Sequence, residues 1–216
     1  MSIFNPEHDI VLALDAGAGF TPPKAARRLR QDLSHLPSLW GASEEPSVWG
    51  WDAAVVAELL KSNGIQNFMV EIGGEVVTKG VSDKRVPWRI GVTKPTDDTI
   101  SVNNELQTIL NVTNKAMATS GNYRNFYYKG GKKYAHTIDP KTGYPVQHNI
   151  LSATVLADNC ATADAYATSF MVLGMEGTRR ILDKHPELMA YLIYTDDKGD
   201  YSVWYSPSME DKIVDN

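Results

Sequence analysis

The stretch WDAAVVAELLKSNGI places apolar residues at 53, 56, 59 and 60, a spacing that predicts a helix with one buried face. Asn63-Gly64 supplies its stop, because glycine enters the left-handed conformation that ends helices without steric cost. Past this helix the period changes. NFMVEI and EVVTKG read as strands on either side of Gly73-Gly74, a pair that tolerates the positive φ angles of a two-residue hairpin. WRIGV, TISV, ILNVTNKAMAT, FYYKGGKKYAHTI, LSATVLA, LMAYLIYT and YSVWYS follow as further short strands, with KGGKK and TDDKGD as hairpin turns. Helical spacing returns at about 161–173 and 175–184. Strands outnumber helices and no βαβ alternation is visible. The expected class is therefore α+β, a mostly antiparallel sheet with helices packed outside it.

Residues 1–47 have a different texture. FTPPKAARRLRQDLSHLP enters through two prolines, continues with Ala25, Leu29 and Leu33 at helical spacing, and ends in the loop-like GASEEPS. This predicts an atypical N-terminal segment over 1–47 and a main domain over 48–216. With 216 residues, 43% hydrophobic and 22% charged, the chain can bury a real core. A net charge of −5 argues against a broad footprint for nucleic acid or anionic lipid, and KAARRLRQ at 24–31 reads as a solvated helix face. Cys160 is the only cysteine, so no internal disulfide forms. No apolar run is long enough to span a bilayer. The opening MSIFNPEHDIVLALDAGAGF lacks a basic n-region, and Glu7, His8, Asp9 and Asp15 interrupt its apolar residues, so it does not read as a signal peptide.

Four stretches could carry chemistry, and each has an ordinary reading beside it. In VEIGGEVV, Gly73 and Gly74 would let a flat ring or a phosphate approach the backbone amides, or they make a turn and nothing more. In ATSGNY, the hydroxyls of Thr119 and Ser120 ahead of Gly121 could donate to phosphate oxygens, or end a strand. In AHTIDPKTGYP, Pro140, Thr142, Gly143 and Pro145 fix a tight turn with His136 and Asp139 just ahead of it. Such a loop holds side chains in place without entropy loss on binding, yet a surface turn beside a histidine has the same letters. In ATADAYATSFMVLG, Asp164 and Thr168 are four apart and share a helix face, an oxygen pair that suits Mg²⁺. The alternative there is capping, with Thr162 as the cap, Asp164 favouring the helix dipole and Thr168 bonding back to a carbonyl. No G-x-x-x-x-G-K, C-x-x-C, H-E-x-x-H or G-x-S-x-G is present, and His8, His35, His148 and His185 are scattered and expected at the surface.

Taken in order, VEIGGEV, WRIGVTKP, ATSGNY, HTIDPKTGYP and ADAYATSFMVLG resemble the ApbE flavin transferase family over about residues 52–205. Residues 1–51 lie outside this resemblance. It implies transfer of FMN from FAD onto a threonine or serine of a target protein, with Mg²⁺ required and AMP released. By the same resemblance Gly73 and Gly74 would line the flavin pocket, and Thr119, Ser120 and Gly121 the FAD cleft. His136, Asp139, Thr142 and Gly143 would lie beside the diphosphate. Asp164 and Thr168 would coordinate Mg²⁺, with His136 and Asp164 as the catalytic pair. The implied partner is a flavin-accepting protein, and the implied location is the bacterial periplasm or cell envelope. Family members also carry an N-terminal part and a Lys-Gly element just before the helix matched by 52–60. Here that helix follows EEPSVWGWD, which has no lysine. A second function therefore stays open, that of a flavin-binding or structural module without transfer.

Overall fold

The computed structural model describes residues 3–4, 9–14, 49–95, 106–122, 126–129, 132–135 and 137–214. The expected helix near 24–33, the boundary at 41–48, the strand TISV and His136 lie outside the described residues.

Chain order runs β1 (Ile3–Phe4), β2 (Asp9–Leu14), α1 (Trp49–Ser62), β3 (Asn67–Ile72), β4 (Glu75–Lys79), β5 (Trp88–Thr93), β6 (Leu106–Val112) and β7 (Ala116–Gly121). It continues with β8 (Phe126–Lys129), β9 (Lys132–Ala135), β10 (Ile150–Ala157), α2 (Cys160–Leu182), β11 (Met189–Thr195), β12 (Tyr201–Tyr205), a 3₁₀ turn (Pro207–Lys212) and β13 (Ile213–Val214). The principal sheet has the order β1-β2-β3-β4-β7-β10-β11-β12, a smaller one the order β13-β6-β5, and β8 pairs with β9. Every described pairing is antiparallel except one. β2 runs parallel to β3, from Asp9 opposite Asn67 to Leu14 opposite Ile72, with α1 between them in the chain. The architecture is α+β and mostly antiparallel as expected, with this one parallel pairing among the described residues.

Alternation along the strands builds three layers. On one face of the principal sheet, Ala53, Val56, Ala57 and Leu60 of α1 pack on Phe68, Val70, Ile72 and Val77. Beside them Ala163, Ala167, Phe170 and Met171 of α2 pack on Ala118, Ala153, Val155 and Leu192. On the other face Val76, Met117, Leu156 and Ile193 meet Ile90, Leu110 and Val112 of the small sheet. The alanines at 116, 118, 153, 163 and 167 are all fully or almost fully buried, so α2 lies close against the sheet.

Local rules set the corners. Gly73 and Gly74 adopt φ of 66° and 99°, and Ile72 pairs with Glu75 across them, the two-residue hairpin that the sequence predicted. α1 ends at Gly64 with φ of 77°, and the Ile65 N–H returns to the Leu60 carbonyl (3.1 Å). The stretch ILNVTNKAMAT, expected as one strand, is two. Asn114 takes φ of 53° and turns the chain from β6 in the small sheet to β7 in the principal one. α2 breaks at Gly174 (φ 70°, ψ −175°), the point between the two helices predicted there. His148, expected at the surface, is partly buried and stabilises that break. Its Nδ1 accepts from the Ile150 N–H (3.2 Å), so Nε2 carries the proton and donates to the Met171 carbonyl (2.5 Å).

Candidate functional site

Two groups of predicted residues come together at one end of the principal sheet. The first joins β7 to α2. Ser120 follows Ala116 and Ala118 on the helix-facing side of β7, and its hydroxyl lies 3.0 Å from that of Thr168. Thr119 points to the opposite face, where its hydroxyl meets that of Thr154 at 2.8 Å. Within the ATSG stretch, then, Ser120 is the residue that faces the helix carrying Asp164.

The helix start is capped by Asn159, whose Oδ1 accepts from the Thr162 N–H (2.8 Å). This corrects the alternative in which Thr162 caps the helix. Back-bonding to a carbonyl falls to Ser169, whose hydroxyl donates to the Ala165 carbonyl (2.7 Å), while the Thr168 hydroxyl turns to Ser120. Asp164 is half-buried and accepts no hydrogen bond from the described residues. Burial pushes its carboxyl above the usual carboxylate range.

Glu75 stands across from it. The register pairs Val76 with Met117 and Val77 with Ala116, so one more step brings Glu75 to Ala118 on the same helix-facing side. Burial first, and then the nearby charge of Asp164, push the Glu75 carboxyl up to about 7. Cys160, one turn before Asp164, is fully buried with its thiol 3.9 Å from the Val76 carbonyl. Burial, then Glu75, then Asp164 push that thiol up to about 12. The first turn of α2 therefore lies over the start of β4.

The second group is the loop at 137–146. The Thr142 and Gly143 N–H groups donate to the Asp139 carbonyl (3.2 and 2.8 Å), and the Asp139 N–H donates to the Tyr144 carbonyl (2.9 Å). The Asp139 carboxylate accepts from the Lys141 N–H (2.9 Å) at Oδ1 and from the Thr142 hydroxyl (3.3 Å) at Oδ2. Gly143 has φ of 72°, which a type I turn followed by a left-handed residue requires. The stem is closed by the Val146 N–H on the Thr137 carbonyl (3.0 Å). The Thr137 hydroxyl then donates to Asn122 Oδ1 (2.7 Å), which ties the loop to the residue following Gly121. Asp139, Thr142 and Gly143 thus build the turn, and β7 connects it to the Ser120–Thr168 contact.

Gly73 and Gly74 lie exposed at the tip next to Glu75, and a side chain added at Gly74 would meet nothing within 4 Å. Glu75 and Asn122 are the residues that sequence reading missed. The only local signal for Glu75 is its place two residues before Val77, on the side that alternation buries.

A divalent cation fits this chemistry. Among the described residues no three His, Cys, Asp or Glu side chains form a metal cage. Mg²⁺, however, needs only one or two carboxylates, with hydroxyl, water and phosphate oxygens completing its shell. Asp164 and Thr168 present such oxygens beside a buried carboxylate atom of Glu75 that has no partner.

A three-layer α+β fold with an oxygen-lined niche between a strand end and a helix defines the class. The sequence profile of the ApbE family matches residues 48–193, and the chain belongs to that family. A Vibrio cholerae protein named FAD:protein FMN transferase is 44% identical over 148 residues, 68% of this chain and 43% of that protein. A Klebsiella pneumoniae protein of the same name is 35% identical over 225 residues, 98% of this chain and 61% of that protein, which carries the likeness into the N-terminal segment. The solved flavin transferase ApbE of Vibrio cholerae superposes with a TM-score of 0.64 and 38% identity, over 76% of this chain and 50% of that one. The chain spans about half the length of the curated relatives it matches.

Proposed function

We propose that this chain takes part in flavin transfer, moving FMN from FAD to a threonine or serine of a target protein. In that reaction the acceptor hydroxyl oxygen bonds to the FMN phosphorus, the P–O bond to AMP breaks, and AMP leaves with the electron pair while the hydroxyl gives up its proton. Asp164 and Thr168 would hold Mg²⁺, which when bound offsets negative charge on the diphosphate. Ser120 fixes the Thr168 hydroxyl through their 3.0 Å contact. By the family resemblance His136 and the turn at 139–143 would lie beside the diphosphate, and Gly73-Gly74, exposed at its hairpin tip, leaves room for the flavin ring. The observation that carries this reading is the Ser120–Thr168 contact, which joins two motifs 48 residues apart into one oxygen-lined niche.

A second reading is flavin binding without transfer, because the helix at 49–62 follows EEPSV, which has no lysine. Incubation with FAD and Mg²⁺, following AMP by chromatography and covalent flavin by in-gel fluorescence, separates the two. AMP release that requires Mg²⁺ is the result expected. Bound flavin without AMP supports the second reading, and absence of flavin binding overturns both. From the family resemblance we also propose a periplasmic or envelope location, which fractionation of the source cells tests.

A further inference from the structure

Glu75 is the buried group that the proposed reaction leaves unused. It is 8% exposed, and its Oε2 is buried without a hydrogen-bond partner. A carboxylate oxygen in that position is costly unless a proton or a cation answers it. Its placement is fixed from two directions. The β3–β4 hairpin closes at Ile72 opposite Glu75, and the β4–β7 register sets Glu75 on the helix-facing side, next to the small side chain of Ala118. From the other side, the Cys160–Val76 contact brings the first turn of α2 over the start of β4, with Asp164 one turn on. No ion pair among the described residues reaches either carboxylate. Two buried or half-buried acids facing one another, one with an orphaned oxygen, make an arrangement that a divalent cation completes.

We propose that Glu75 contributes an oxygen to the same divalent cation as Asp164 and Thr168, making this a two-carboxylate site that spans β4 and α2. The inference rests on the reading that Asp164 and Thr168 hold a cation. Two carboxylates are within what Mg²⁺ accepts while keeping waters and phosphate oxygens. The cation would then fasten the glycine-rich hairpin to the helix, linking the flavin side of the site to the diphosphate side.

The test is metal binding by the full chain, read without turnover. Mn²⁺, used as a spectroscopic substitute for Mg²⁺, is titrated by electron paramagnetic resonance into wild type, Glu75→Gln and Asp164→Asn, and the rise in Tm with Mg²⁺ is measured for each. The expected result is that Glu75→Gln weakens Mn²⁺ binding at least tenfold and removes most of the Mg²⁺-dependent rise in Tm, while its metal-free Tm equals or exceeds wild type. Should Glu75→Gln not fold, Glu75→Asp, which keeps the charge but shortens the reach, carries the measurement and is expected to bind more weakly than wild type. Unchanged Mn²⁺ binding in the Glu75 variant alongside loss in Asp164→Asn overturns the role of Glu75 and leaves the cation reading intact. Absence of Mn²⁺ and Mg²⁺ binding in wild type overturns both.

Discussion

The loop at 137–146 and the niche between β4 and α2 treat their polar groups in opposite ways. In the loop, Asp139 accepts at its carbonyl and at both carboxylate oxygens, Thr142 both donates and accepts, and the stem bonds onward to Asn122. In the niche, Asp164 accepts nothing from the described residues and Glu75 keeps an oxygen without a partner. The loop would fold the same way with nothing bound. The niche is unfavourable by itself, which marks it as the place where binding energy is to be gained. A dense sequence motif therefore spends its polar groups on its own turn here, while the unpartnered oxygen lies beside a sparser one.

The largest effect that would sharpen this contrast is at Asp164. Asp164→Asn keeps the size and removes the charge, and Mg²⁺-dependent AMP release is expected to fall by about a thousandfold, or ~4 kcal/mol of transition-state stabilisation. Chromatography of AMP against time checks it, and retained activity would move the cation elsewhere.

Next comes the pH response of the metal-free protein. The Glu75 carboxyl is raised from 4.5 to about 7, so the neutral form is the one the fold prefers. That stabilisation is whole below about pH 4.5 and lost as pH rises through about 7, a change of at most roughly 3 kcal/mol. Metal-free Tm should fall between pH 5 and 8 beyond the general trend, and Glu75→Gln should flatten this part of the curve. A wild-type profile parallel to that of Glu75→Gln would show that Glu75 does not titrate in this window.

Smaller effects belong to the self-contained region. Thr137→Val removes the hydroxyl that bonds Asn122, and a loss of about 1 kcal/mol is expected in urea unfolding. If flavin affinity falls by more than that loss of stability explains, the loop binds ligand as well as bracing the site. Gly74→Ala, at φ of 99° in open space, should cost on the order of 1 kcal/mol from backbone strain alone. A flavin affinity that drops tenfold or more at unchanged Tm would place the ring against that glycine.

Legibility followed the range of the interaction. Gly64, Gly73 and Gly143 were readable because positive φ is a property of one residue and its neighbours. The division of α2 at Gly174 agrees with the helical spacing read at 161–173 and 175–184, though the His148 cap, which comes from 23 residues earlier, was not read. The parallel pairing of β2 with β3 was not readable, since nothing in DIVLAL specifies its neighbour. Glu75 was missed on the same account. Its burial is decided by the β4–β7 register and by how α2 crosses the sheet, neither of which a local pattern carries. Asp164 and Thr168 lie four apart in α2, as the spacing implied, while the partner of Thr168 arrives from β7.

Cys160 gives the molecule an internal clock. It is the chain's only thiol, fully buried beneath the first turn of α2, and raised to about 12. At pH 8 the closed molecule keeps this sulfur as the unreactive thiol, and it is shielded from solvent. A disulfide reagent can therefore mark Cys160 only after the helix start lifts from β4, so labelling rate measures how often that joint opens. A ligand that ties α2 to β4 would slow the clock without touching the sulfur.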